Sequence, residues 1–351
     1  MEGTMRAWYA LGNEKMELRE VPIPGVKPNE VLIRIRAVGI CGSDVHFYKD
    51  GQIGPSFRME TPLILGHECA GEIVEVGANV KNHRVGERVV VEPGIPCRYC
   101  YACRTGRYNF CEHMQFMGTP PMDGCMCEYV AWPADLVYEM PDEMSYEEGA
   151  LVEPFVVGLQ ALRNVRIGFS DNAVVIGNGP IALMTIQALK AMGAGTIICV
   201  GRTPMKLEMA KRMGATHLIN IRECDNVTQR VKDLTDGLGA MYTFECVGSD
   251  ATYAQSVELT RDGGTVGLVG LLVDDGTPMP MSTAVMRGIS FVPMIRYTNL
   301  FAEALTLLKY GRAEILPIMT HTFKFEDGQA AYQKAVHGKA DAEKIVIVLS
   351  E

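Results

Sequence analysis

No run of apolar residues in this chain reaches the roughly 18 that a membrane-spanning helix needs, which argues against an integral helical membrane protein. The opening MEGTMRAWYALGNEK lacks a cationic segment leading into an apolar one, so it does not read as a secretory leader, and a cytoplasmic location is expected. Basic residues are in deficit. The 33 Lys and Arg against 42 Asp and Glu leave a formal charge of −9 with no basic block, so nucleic acid would be repelled and a small-molecule partner is expected. Internal repeats and low-complexity segments are missing too.

What is present is length and apolar content. The 351 residues exceed the roughly 250–300 at which a single core stops growing, so two domains are expected. Up to about residue 155 the chain reads as short strands cut by Gly and Pro: EVLIRIRAVGI, ECAGEIVEVG and GERVVVEP have no helical period. From Asn172 strands alternate with helices. AVVIG is followed by the helical run PIALMTIQALKAMG, with Ile181, Met184, Ala188 and Met192 on one stripe, then by the strand TIICV. In PMKLEMAKRMG, Thr203 is a candidate cap, Pro204 takes the first helical position and Gly214 ends the helix. HLIN, MYTFE and GTVGLVG add further strands. Strand–helix alternation demands crossovers, hence an α/β, doubly wound parallel sheet covered on both faces.

GNGPIA sits between a strand and a helix and matches G-x-G-x-x-G/A through Gly177, Gly179 and Ala182. The first glycine permits the tight turn, the second lets backbone approach a pyrophosphate, and the helix opening at Pro180 and Ile181 supplies N–H donors. The acid that should read the adenosine 2′-hydroxyl about 20 residues on is missing: Gly201 stands there, followed by Arg202, Thr203 and Lys206. Glycine leaves room for a 2′-phosphate and the arginine fork suits it, so NADP(H) is expected in preference to NAD(H). Cys246 and Gly270, after later strands, are added as cofactor contacts.

Cys97, Cys100, Cys103 and Cys111 follow C-x2-C-x2-C-x7-C, a spacing that closes four thiolates around a structural Zn²⁺. A second, dispersed set of Cys41, His67, Glu68 and Glu153 offers the mixed ligands of a catalytic zinc with one open position. Asp44 is the natural partner for a ligand imidazole. Because His67 and Glu68 are adjacent, a regular strand would send them to opposite faces, so an irregularity, or a switch between Glu68 and Glu153, is expected.

Together these motifs resemble the zinc-dependent medium-chain alcohol and polyol dehydrogenases over nearly the whole chain. GHECAGEIVEVG looks like the family's zinc signature, and GERVVVEP followed by the cysteine lobe stands in the family's order. GICGSDVH, RYNFC, GTPPMDG, LVEPFVVG and Ile295-Arg296-Tyr297 resemble its sorbitol and xylitol dehydrogenase branch. The resemblance implies a GroES-like β-rich catalytic domain from residues 1–155 and 295–351, and a Rossmann domain at 156–294. It also implies a proton relay through Ser43 and His46, with Glu153 as an alternative, and a homotetramer in which GISFVPMI extends the sheet across a two-fold axis. Phe47, Phe116, Thr119, Arg296 and Tyr297 would contact the substrate, Phe47 standing where the sorbitol enzymes commonly have Tyr. The expected activity is hydride transfer between a polyol of the sorbitol, xylitol or L-arabinitol type and NADP(H). The rivals are a threonine 3-dehydrogenase-like enzyme and a non-catalytic cofactor-binding protein on the same fold.

Overall fold

In the computed structural model the β-branched segments of the N-terminal half pair with two C-terminal strands into a seven-stranded sheet ordered Val137–Glu139, Arg88–Val91, Glu68–Val76, Glu30–Gly39, Lys344–Val348 and Met319–Lys324, with Tyr129–Pro133 also on Glu30–Gly39. The pairs are antiparallel except for the last two strands, which run parallel. The register sets Gly39 opposite Glu68 on one side and opposite Val346 on the other. The C-terminal strand thus returns beside the zinc-signature strand, with a glycine between them.

The structure describes residues 2–54, 56–165, 167–272, 276–338 and 340–350. They form two compact units: Met1–Glu153 with Phe301–Leu305 and Met319–Glu351, and Pro154–Leu300 with Thr306–Ile318. The tail is shared more finely than its sequence suggests. Phe301 stacks on Tyr138 in the first unit, with centroids 5.3 Å apart, whereas the Glu314 N–H donates to Gln187 Oε1 at 3.3 Å in the second.

Within the first unit, buried Glu92 anchors the cysteine lobe. Its carboxylate accepts from Tyr108 Oη at 2.6 Å and from Tyr138 Oη at 2.8 Å. Burial pushes the Glu92 pKa up, and the two tyrosine bonds only partly counter it. Tyr108→Phe leaves one buried carboxylate oxygen without this donor and should cost about 1–3 kcal/mol in urea unfolding, with zinc content unchanged.

In the second unit six parallel strands run in the order His217–Asn220, Thr196–Gly201, Asn172–Ile176, Ala240–Glu245, Thr260–Leu268 and Ser290–Pro293. Strand order reverses beside Asn172–Ile176, the switch point at which such sheets bind ligands. Helix Pro180–Ala191 buries every residue from Ala182 to Leu189, a wider face than one stripe. The helix is covered by the sheet and by helix Pro204–Met213, and at Gly158, which has no side chain, helix Val152–Arg163 comes against the Met184 backbone. Met192 lies past the helix end and is 49% exposed. Helix Pro204–Met213 ends, as expected, on a left-handed Gly214 at φ +118°. Thr203 occupies its N-cap position, but the hydroxyl makes no capping bond. Among the described residues no helix is long and apolar enough to cross a membrane.

Candidate active site and metal centres

One donor atom each from Cys41, His67 and Glu68 lies within 4.8 Å of the others, close enough for a single ion to touch all three. Local backbone explains how neighbours in sequence converge. Gly66 takes a left-handed φ of +89°, a conformation that favours glycine, so the strand begins only at Glu68 and His67 escapes the strand's alternation. Asp44, buried in the first turn of helix Gly42–Asp50, organises the set. Its Oδ2 accepts from the Cys41 N–H at 2.9 Å and its Oδ1 from the Gly66 N–H at 3.1 Å, and Oδ1 stands 3.5 Å from His67 Nδ1. Burial opposes a proton on His67, but Asp44 and Cys41 outweigh it and hold the ring well above its usual pKa. Such a pocket demands positive charge. A thiolate, an imidazole and a carboxylate with a buried acid behind the imidazole fit zinc.

Glu68 has a second, stronger engagement. Lys344 Nζ donates to both of its oxygens, at 2.6 and 2.7 Å, and to the Ile40 carbonyl at 3.1 Å. Both side chains are buried, and a Cβ at Gly39 would collide with the Glu68 carboxylate. Burial pulls the Lys344 pKa down, yet Glu68, Cys41 and Glu153 raise it above the ordinary value, so the ammonium stays charged. Lys344 was not singled out from the sequence. The one available signal was a cation opening the apolar strand KIVIV.

The other expected residues scatter. Glu153 is buried but is not one of the three clustered donors. Phe116 sets its ring edge-on to His67, centroids 5.4 Å apart, and its carbonyl accepts from the Thr119 N–H. Ser43 is half-buried, and the His46 side chain is 58% exposed with Nδ1 3.7 Å from Asp50. Among the described residues no hydrogen bond joins Ser43 to His46. Phe47, expected at the substrate wall, is 1% exposed and packs in the first unit's hydrophobic core. Positions 47 and 48 point inward from the helix while 46, 49 and 50 face solvent.

In the lobe, Cys97, Cys100, Cys103 and Cys111 also bring their sulfurs within 4.8 Å of one another. The Cys100 N–H donates to Cys97 Sγ and the Cys97 N–H to Cys111 Sγ, each at 3.3 Å. Burial pushes the Cys97 thiol up, but backbone N–H groups of Cys100 and Tyr99 outweigh it and bring it to about 7. Four thiols supported in this way, with no carboxylate or imidazole among them, suit a closed structural zinc.

In the second unit Gly177 adopts φ +112°, and its N–H donates to the Val200 carbonyl at 2.8 Å, tying the fingerprint turn to the adjacent strand. Gly179 is the N-cap residue of helix Pro180–Ala191, and the side chain of Ile181 is half-buried there. The Cys246 thiol is held up by burial and lies 3.9 Å from Thr185 Oγ1, and the Gly270 carbonyl accepts from Tyr253 Oη at 2.7 Å. Arg202 is exposed and forms no hydrogen bond or ion pair among the described residues, while Lys206 is half-buried. Arg296, at φ +50°, and buried Tyr297 follow the edge strand Ser290–Pro293.

Comparison with known proteins agrees with this architecture. Residues 27–142 match the alcohol dehydrogenase GroES-like domain and residues 180–310 the zinc-binding dehydrogenase model. Sorbitol dehydrogenase of Bacillus subtilis is 39% identical over 98% of this chain and 97% of its own. L-idonate 5-dehydrogenase of Vitis vinifera is 38% identical over 96% and 93%. A solved Escherichia coli oxidoreductase/dehydrogenase of unknown specificity superimposes with a TM-score of 0.95 at 34% identity, covering 99% of this chain and all of that one. A GroES-like unit with two zinc-ligand clusters, a parallel dinucleotide-binding sheet and full-length similarity establish that this chain belongs to the zinc-dependent medium-chain alcohol and polyol dehydrogenase family.

Proposed function

We propose that this protein interconverts a polyol of the sorbitol, xylitol or L-arabinitol type and its 2-ketose, with NADP(H) preferred over NAD(H). The observation that carries the coenzyme choice is Gly201 at the end of the strand Thr196–Gly201, followed by the unengaged Arg202 guanidinium. A carboxylate there would repel a 2′-phosphate, while an arginine fork binds it through paired, charge-assisted bonds. Thr203 adds a hydroxyl that is not used in capping, and Lys206 adds a cation one helical turn on.

Zinc, when bound, would supply Lewis-acid stabilisation of negative charge on the reacting oxygen, and a bound nicotinamide would supply the hydride chemistry. The chain's own residues do the rest. Cys41, His67 and Glu68 would hold the ion with Glu153 in reserve, and Asp44 orients the imidazole. For the substrate hydroxyl proton we propose Ser43 as first acceptor, passing its own proton through an intervening water to exposed His46, with Glu153 as the alternative acceptor. Gly177, Gly179 and the N–H groups at Pro180–Ile181 that remain after proline's loss would hold the pyrophosphate, and Cys246 and Gly270 are the further proposed coenzyme contacts. Phe116 and Thr119 of the first unit are proposed polyol contacts, and so, separately, are Arg296 and Tyr297 of the second. Arg296 keeps a left-handed backbone that costs a non-glycine residue of order 1 kcal/mol, a strain typical of functional positions. We further read the chain as a homotetramer that pairs through the exposed edge strand Ser290–Pro293. None of its eleven cysteines is in a disulfide, which suits a reducing cytoplasm.

The test is kcat/KM by nicotinamide absorbance with sorbitol, xylitol, L-arabinitol and threonine, each with NADP⁺ and NAD⁺. Polyol turnover favouring NADP⁺ by tenfold or more is expected. Preference for NAD⁺ would overturn the phosphate clamp and spare the chemistry; threonine turnover alone would overturn the substrate class.

A further inference from the structure

We infer that Asn178, the middle residue of the G-N-G turn, determines coenzyme selectivity by filling the space that an acidic side chain at position 201 would need. This rests on the coenzyme reading above and deepens it.

Gly201 has no left-handed backbone, so its φ does not call for glycine. Space does. A Cβ placed on Gly201 would stand 2.6 Å from Asn178 Nδ2, 2.7 Å from its Cγ and 3.0 Å from its Cβ. Turning the amide alone does not clear this clash, because the near end of the side chain takes part in it. Nor is the amide free to turn: Asn178 is 8% exposed, and its Nδ2 donates to the Thr203 carbonyl at 3.2 Å. The same side chain therefore blocks a carboxylate at 201 and braces the loop that presents Arg202 and Thr203. The Gly177 N–H bond to Val200 fixes the separation of the two segments, so neither recedes easily. Two positions 23 residues apart thus act as one selectivity element, and changing either alone should fail.

The experiment is fluorescence titration of NADPH and NADH on purified, zinc-loaded full-length protein for wild type, Gly201→Asp, Asn178→Gly and the double variant. Gly201→Asp alone should weaken both coenzymes by at least tenfold, since the aspartate displaces Asn178 and the loop with it. In the Asn178→Gly background the same change should instead tighten NADH by at least tenfold and weaken NADPH. Gly201→Ala, uncharged and small, repeats the steric arm should the aspartate variant fail to fold, with its loss relieved by Asn178→Gly. Additive effects, or a Gly201→Asp variant that binds NADH tightly with Asn178 in place, would overturn the proposal. Wild type binding NADH more tightly than NADPH would overturn the coenzyme reading by itself, while the coupling between 178 and 201 still decides the role of Asn178.

Discussion

Cys41→Ala is expected to purify with about one zinc per chain in place of about two, and to lose polyol turnover by roughly 10³-fold or more in kcat/KM, as removal of several kcal/mol of Lewis-acid stabilisation requires. Its melting temperature should fall little. Cys41 is half-buried at the head of helix Gly42–Asp50, and the fold around it rests on the apolar core and on Asp44, whose bond to the Cys41 backbone N–H survives the change. Cys100→Ala should give the reverse pattern. The lobe is a loop and two short helical turns, Tyr101–Arg104 and Tyr108–Phe110, so its metal supplies much of its order. That variant should lose the other zinc and melt earlier, with turnover retained by the folded fraction. Metal analysis and thermal unfolding on the two variants check both assignments. A Cys41→Ala protein still carrying about two zinc ions would remove Cys41 from the ligand set.

Lys344→Met should cost about 3–5 kcal/mol of stability, the magnitude for stripping one partner from a buried ion pair. Glu68 is fully buried, and Lys344 is the side chain that meets both of its oxygens. Methionine matches the lysine stem and removes only the charge and its donors, leaving a carboxylate that cannot reach water. Glu68→Gln combined with Lys344→Met should recover most of the loss, because the desolvated charge goes with its partner. Urea unfolding of the two single variants and the double closes the cycle. A Lys344→Met protein within about 0.5 kcal/mol of wild type would mean that Glu68 finds its compensation elsewhere. The pair also bears on metal binding. A carboxylate already held by an ammonium contributes less charge to zinc, so Glu68 is placed between two cations and its share in each depends on the other.

Expectation and structure part company by range along the chain. The four cysteines of the lobe, GNGPIA between its strand and helix, and the strand–helix rhythm after Asn172 are contiguous patterns. Their geometry follows from backbone that neighbours can dictate: a turn, a helix start, a short loop around one ion. Even the convergence of His67 and Glu68 was foreseeable as an irregularity, and the left-handed Gly66 supplies it.

What tertiary structure alone decided lies across strand registers. Lys344 meets Glu68 across 276 positions only because the last strand lies antiparallel to Glu30–Gly39 with Gly39 bare between them. Phe47 turned inward because the helix packs that face on the core, and Asn178 closes the space above Gly201 because parallel strands bring the ends of two loops together. Sequence pattern by itself determined the family of folds and the chemistry of each local donor set, since both depend on residue type and short spacing. Which buried charges and which small residues stand face to face was decided by packing, where a shift of one residue in register would exchange every partner.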